Sequence, residues 1–240
     1  MGAGILPTCI HENKLYFLFG KENKYEPNAP GFSDFGGGTD NTESFFNTAV
    51  REAGEEFTGF LGDAQDIRFL MSGDSSRRRG KSKTAAAAAT AATAATTYNI
   101  DYVPTDKKYS TYRTHIFPFA YNEWLPFYYN NNQRFLQKSL DPAIFRRTKI
   151  FEKERIEWIC VDDLLRRRGE FRFYYLNVID SILAQRKQIE QFIRTEMRRR
   201  KLVPAIMSRR QKLGLCRRGA SDARKNRTRT RRRQKGNVSS

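Results

Sequence analysis

Residues Gly37-Gly38-Thr39-Asp40-Asn41-Thr42-Glu43-Ser44-Phe45-Phe46-Asn47-Thr48-Ala49-Val50-Arg51-Glu52-Ala53-Gly54-Glu55-Glu56-Phe57 place four glutamates in a chain of 240 residues and net charge +18. After the glycines, Asn41 or Thr42 can cap a helix that begins near Glu43. Phe46, Ala49, Val50, Ala53 and Phe57 recur at spacings of three and four, which gives that helix one apolar face. Gly54 weakens it by about 1 kcal/mol relative to alanine. Thr58-Gly59 ends it. Glu52 lies three residues from Glu55 and four from Glu56, so all three carboxylates share one edge. Each such like-charged pair costs an isolated helix about 0.2–0.5 kcal/mol. The cluster sits near the C-terminal end, where the helix dipole already disfavours anions. Two readings fit that local cost. One is a solvated acidic face. The other is a site of hard oxygen ligands for Mg²⁺ or Mn²⁺.

The positive charge lies elsewhere. From Arg198 to the end, seventeen Lys and Arg stand against Asp222 alone, so residues 198–240 carry sixteen of the eighteen net charges. Residues 1–197 are nearly neutral. The tail is poor in aromatic and large apolar residues and reads as disordered when alone. Such a block binds RNA or another polyanion by counterion release, and Arg231, Arg232 and Arg233 form its densest run. It also suits a nuclear-import signal.

Around the glutamates the chain alternates strands and helices. GAGILPTCI and KLYFLFGKE read as two strands joined by a His-Glu-Asn turn. Asn23–Ser33 is a polar loop, and Phe35–Gly38 a flexible turn. Asp66–Met71 reads as a strand. Ser72–Lys108 is low-complexity sequence with an alanine-threonine run, best read as an inserted surface loop. Tyr112–Tyr121 and Arg155–Val161 return to strand chemistry. Asp162 then caps a short helix, Asp163–Arg167, and a longer helix spans roughly Arg172–Arg200. This interleaving predicts an α/β or α+β sandwich.

Hydrophobic residues make up 39% of the chain and aromatics 13%, enough for a packed core. No apolar run is long enough to cross a membrane, and the N-terminus does not read as a signal peptide. Cys9, Cys160 and Cys216 are odd in number and far apart, which fits a reducing, intracellular setting, cytoplasmic or nuclear. With His11 and His115 the only histidines, the composition argues against a zinc site.

The order glycine, five residues, glutamate, seven residues, then Arg51-Glu52-Ala53-Gly54-Glu55-Glu56 resembles the box of the Nudix hydrolase family. The chain departs from the box at its close: Thr58 stands where the box has glycine, Gly59 comes one place late, and Ala53 fills a large-apolar position. Ile150–Leu164 is similar to the late Nudix segment in which a glutamate precedes a tryptophan strand. The resemblance covers about residues 3–190. More loosely, the chain is similar to the Nudix proteins of large DNA viruses, some of which act on RNA caps.

The resemblance implies a Nudix-like α/β/α sandwich with a mixed β-sheet over residues 1–197, interrupted by the 72–108 loop. It implies hydrolysis of a pyrophosphate bond in a nucleoside diphosphate linked to another group, with capped RNA, a small nucleotide or an inositol pyrophosphate as substrates. A non-enzymatic RNA-binding scaffold is the remaining alternative. By the same resemblance Glu52, Glu55 and Glu56 hold Mg²⁺ or Mn²⁺. Glu55 or the late-loop Glu152 takes a proton from water, with Glu154 the second late choice. Arg51 orients Glu55 or Glu56, while Gly37 and Glu43 shape the loop–helix junction. Lys21, Phe19 or Tyr112 can meet a base or phosphate, and each can equally be a core or surface residue. Trp158 reads as core.

Overall fold

The structure, a computed structural model, describes residues 1–23, 30–40, 42–73, 96–103, 110–141, 143–144 and 152–202. The alanine-threonine run and the tail from residue 203, with Arg231, Arg232, Arg233 and Cys216, lie outside them. Met1–Pro204 forms one compact unit.

The two N-terminal strands, β1 (Gly2–His11) and β2 (Lys14–Glu22), form the predicted hairpin. Glu12 and Asn13 close it with φ of 47° and 62°, the left-handed pair that a tight hairpin turn needs. The two strands pair only beside the turn, Thr8–His11 against Lys14–Phe17. Beyond it they take different partners on those edges. β3 (Phe32–Ser33) pairs with β2 at Gly20 and Lys21, and β4 (Phe35–Gly38) pairs with β1 from Gly2 to Ile5. The segment Phe35–Gly38 is therefore a strand and not a flexible turn, because β1 supplies its hydrogen bonds. Asp34 sits between β3 and β4, where the hairpin splays.

Among the described residues the sheet has seven strands. β6 (Tyr112–Pro118) runs parallel to β1, β5 (Tyr98–Tyr102) pairs antiparallel with β6, and β7 (Lys153–Cys160) pairs antiparallel with β2. β5 falls inside the stretch expected to be an inserted loop. Its residues Tyr98 to Tyr102 match Ile116 to Tyr112 one for one, so the insertion ends before Tyr98.

Helix α1 (Phe45–Glu56) is the acidic helix. Its cap is Ser44, whose hydroxyl accepts from the Asn47 amide at 3.3 Å, in place of Asn41 or Thr42. Residues 66–71 belong to a second helix, α2 (Ala64–Ser72), and not to a strand. Asp63 and Asp66 form a reciprocal capping box, and Gly73 at φ 68° closes the other end. Ile67 and Met71, four apart, are its buried face. α3 (Trp124–Ser139) has no counterpart in the sequence reading. The C-terminal helix divides at Gln185 into α4 (Leu176–Ala184) and α5 (Arg186–Arg200). Gln185 there accepts a hydrogen bond from Tyr98 of β5 at 2.7 Å. Of the expected helix 163–167, Asp163 ends a short 3-10 segment, Val161–Asp163, and residues 164–167 are turn.

Strand alternation sends side chains to two cores. Leu6, Phe17, Phe19 and Ile116 pack with Tyr175, Ile179 and Ile193 of the C-terminal segment. Ala3, Ile5, Leu18 and Phe117 pack on the other face with α1, Ile67 and Met71 of α2, and Tyr129 of α3. The result is the expected α/β/α sandwich around a mixed sheet. Phe19 is fully buried.

Arg198–Arg200 belong to this fold and not to the tail. Arg199 and Arg200 pair with buried Glu196, and Arg200 donates to the carbonyls of Leu70, Met71 and Thr96. It thereby satisfies two of the orphan C-terminal carbonyls of α2, those of Leu70 and Met71. Cys9 and Cys160 are buried free thiols. Among the described residues no helix is long and apolar enough to cross a membrane.

Candidate active site

The acidic edge of α1 faces the glycine strand. Glu52 is 8% exposed and lies against β4: a Cβ added at Gly37 would stand 2.5 Å from Glu52 Oε1. Gly37 is thus required for close approach. The flexible turn expected over Phe35–Gly38 is not what it supplies, since it is extended strand paired with Ala3.

Arg51 ties this edge to the loop before the helix. Its Nε lies 3.3 Å from both Glu43 oxygens, and Nη2 donates to Glu43 Oε2 at 3.1 Å and to the Gly38 carbonyl at 2.8 Å. Nη1 donates to Glu52 Oε1 at 2.8 Å, while Glu55 Oε1 stands 3.6 Å away. The fork therefore orients Glu52, where the family resemblance pointed to Glu55 or Glu56. Glu43 also accepts from Thr48 Oγ1 at 3.1 Å and from the Asp40 amide. The Arg51 hydrogen bond holds its carboxyl below the usual range.

Glu55 is half-exposed, and Glu56 is buried. Glu56 Oε1 lies 3.3 Å from Nζ of Lys153, itself 1% exposed. That ammonium also donates to Glu22 Oε1 and, at 2.9 Å, to Ser33 Oγ. Arg172 makes a second ion pair with Glu22. Glu56 Oε2 is buried with no hydrogen-bond partner. Burial pushes the Glu56 carboxyl well up, against the pull of Lys153 and with Glu22 and Glu152 adding to the push. Burial raises Glu52 too; Arg51 opposes it, while Glu55 and Glu152 add to it. Glu152 adds to the upward push on both carboxylates. Glu154 pairs with Lys21 at 3.0 Å.

As they stand, no three His, Cys, Asp or Glu side chains among the described residues are gathered tightly enough to hold one metal ion. Arg51 and Lys153 are the cations that meet Glu52 and Glu56. The donor set nonetheless suits a hard divalent cation. It is all carboxylate oxygen, Glu56 Oε2 is an orphaned acceptor, and the missing Cβ at Gly37 leaves Glu52 its place.

A cleft of about 280 Å³ borders the glycine strand, lined by Ser33, Asp34, Gly37, Gly38, Tyr112 and Tyr174 among others. Asp34 is buried and accepts from Tyr112 Oη at 2.9 Å and Thr114 Oγ1 at 2.8 Å. Burial raises its pKa from 3.8 to about 6, although both hydrogen bonds pull it down. Between those values Asp34 binds more protons folded than unfolded, so its contribution to stability falls as pH rises through the window. The Asp34→Asn variant escapes this loss. Its stability relative to wild type should climb from about pH 4 to pH 6, by up to about 3 kcal/mol. Urea denaturation across that range tests this; a constant difference would remove Asp34 as the source.

Past the helix, Thr58 has φ 48° and Gly59 φ 83°. Both residues are left-handed, and Thr58 fills the box's glycine position in a conformation that disfavours a β-branched side chain. Its Oγ1 is also buried without a partner. Thr58→Gly should raise stability by about 1 kcal/mol, since the left-handed cost of about 1–2 kcal/mol exceeds what glycine loses in chain entropy. Thermal denaturation should show a gain of about 2–4 °C; a loss would mean that the threonine methyl packs favourably.

Glu52, Glu55, Glu56 and Gly37 are thus brought to one edge, with Arg51 and Glu43 securing it. No protein-family model matches the chain, and no curated protein matches it. Among solved structures it is similar to the NUDIX domain of Shewanella oneidensis NrtR complexed with ADP ribose. That likeness has 13% identity, covers 78% of this chain and 86% of that chain, and has a TM-score of 0.37. A C. elegans Ap4A hydrolase binary complex is 11% identical, over 81% of this chain and 94% of that chain, with a TM-score of 0.35. The M. Smegmatis Nudix hydrolase RenU is 15% identical, over 69% and 73%, with a TM-score of 0.34.

Sequence reasoning missed Lys153, Glu22 and Asp34. Lys153 opens β7, and strand alternation sets it on the opposite side from Glu154. Nothing in the sequence marks that side as the buried one.

Proposed function

We propose that the chain is a divalent-metal-dependent Nudix pyrophosphohydrolase that cleaves a nucleoside diphosphate linked to another group, with capped RNA as its substrate. The observation that carries the reading is the carboxylate edge of α1, set against Gly37 by Arg51 and bearing a buried oxygen of Glu56 with no partner. Glu52, Glu55 and Glu56 are the residues that would hold Mg²⁺ or Mn²⁺. When bound, such an ion neutralises phosphate charge and lowers the pKa of water.

The chain's own groups have separable tasks. Arg51 holds Glu52 Oε1 and anchors it to Gly38 and Glu43, which fixes the edge before substrate arrives. Glu152 or half-exposed Glu55 takes the proton from the attacking water. The raised pKa of the Glu52 carboxyl follows from its burial. The cleft beside Gly37 and Gly38, with Tyr112 and Tyr174, is of a size to take part of the leaving nucleotide. Capped RNA is favoured over a small nucleotide because residues 203–240 carry thirteen Lys and Arg against Asp222 alone.

The experiment is cap-labelled RNA incubated with the full chain, with and without Mg²⁺ or Mn²⁺. Release of the capped nucleoside diphosphate only with metal, and its loss in Glu55→Gln, is the expected result. Equal behaviour of variant and wild type would sink the reading. Truncation after Leu202 spares Arg199 and Arg200, and should weaken turnover of capped RNA. If turnover is unchanged, the substrate is a small molecule such as ADP-ribose, a dinucleoside polyphosphate or an inositol pyrophosphate. RNA binding without turnover on any of these, with either metal, would leave an RNA-binding scaffold.

A further inference from the structure

The outward face of α3 is unlike that of an ordinary surface helix. Trp124, Phe127, Tyr128 and Phe135 are 46%, 53%, 60% and 66% exposed. At 100° per residue they share an arc of roughly 120° with Arg134 and Lys138, both exposed. The arc runs about 21 Å along the helix, from Trp124 to Lys138. No Asp or Glu occurs between Trp124 and Leu140; Glu123 and Asp141 lie beyond the two ends.

The helix cannot turn to bury these rings, because its inner face is locked. Tyr129 is fully buried and its hydroxyl donates to the Glu56 carbonyl at 2.7 Å. Asn130 exchanges hydrogen bonds with Ile156 of β7 at 2.8 and 3.1 Å. Phe127 packs edge-on to Trp124 and Tyr128, with centroids 5.8 and 5.3 Å away, so three rings form one cluster.

We propose that this face of α3 binds single-stranded RNA, with Trp124, Phe127, Tyr128 and Phe135 stacking on bases and Arg134 and Lys138 pairing with phosphates. Aromatic rings interleaved with cations are the combination that holds an unpaired strand without reading its sequence. The absence of carboxylates along the arc suits a polyanion. The arc carries no aliphatic side chain, and its cations, Arg134 and Lys138, share one stripe with the rings. The surface is separate from the hydrolytic edge, and strand binding is read without turnover, so either reading can fail while the other stands.

The chain has two tryptophans, so Trp158→Phe in the full chain leaves Trp124 as sole reporter. A 20-nucleotide oligouridylate should quench its emission saturably. Tyr128→Ala/Phe135→Ala and Arg134→Glu/Lys138→Glu should each weaken strand binding by about tenfold or more, read by anisotropy of the labelled strand. Four results would overturn the proposal: no binding, binding that leaves Trp124 emission and both double variants unchanged, quenching by phosphatidylserine vesicles and not by RNA, or self-association that the double variants abolish.

Discussion

Glu52→Gln should lose activity by a factor on the order of 10²–10³ in kcat while the fold holds or gains stability. The first half follows from charge. A metal-assisted reaction draws several kcal/mol from the ion, and each 1.36 kcal/mol is tenfold in rate. Glutamine keeps the shape of Glu52 and the contact with Arg51 Nη1, but removes the charge that, on the proposed function, would hold the ion. The second half follows from burial. Desolvation raises the Glu52 carboxyl above its ordinary value, and Glu55 and Glu152 push the same way, so the ionised side chain is a cost that glutamine relieves. Steady-state hydrolysis of capped RNA, paired with thermal denaturation, separates the two. Full activity in a stable variant would take Glu52 out of the metal-holding set. A large fall in melting temperature would mean that its role is structural.

Lys153→Met should cost about 3–5 kcal/mol, the penalty for removing one partner of a buried ion pair. In a domain of this size that is a fall of very roughly 10 °C in melting temperature. The ammonium is 1% exposed and is shared by Glu22, Ser33 and Glu56. Burial alone would lower its pKa, but Glu56 and Glu22 outweigh burial and raise it, so it stays charged. Without it Arg172 still serves Glu22, and Glu56 is left with no cation. Lys153→Met/Glu56→Gln should therefore recover part of the loss, because the uncompensated carboxylate goes too. If the two effects simply add, the pair is not coupled and the assignment of Lys153 as its counter-ion fails.

The parts of the site legible in the sequence are those set by short-range spacing. On any helix over residues 45–56, Glu52, Glu55 and Glu56 share an edge, and Ala49, Val50 and Ala53 share the face that packs on the sheet, with Phe57 at its C-cap. Only the cap moved, from Asn41 or Thr42 to Ser44. Where local pattern is ambiguous the reading slipped. DIRFLM alternates well enough for a strand, but the Asp63–Asp66 capping box decides for a helix. YNIDY is too short and polar to announce itself, yet β6 offers it a free edge. The outward aromatic arc of α3 hides its helix, because the apolar stripe does not mark the buried side.

The sequence alone determined the charge division, the α/β alternation and the order of the acidic box, because each follows from residues within a few turns of one another. The tertiary structure decided which side of each element is buried. The splayed β1–β2 hairpin brings Gly37 under Glu52. The pairing of β7 with β2 carries Lys153 to Glu22 and Glu56 from 131 and 97 residues away in the chain. Those contacts join residues that no local period connects, so only packing and desolvation could set them.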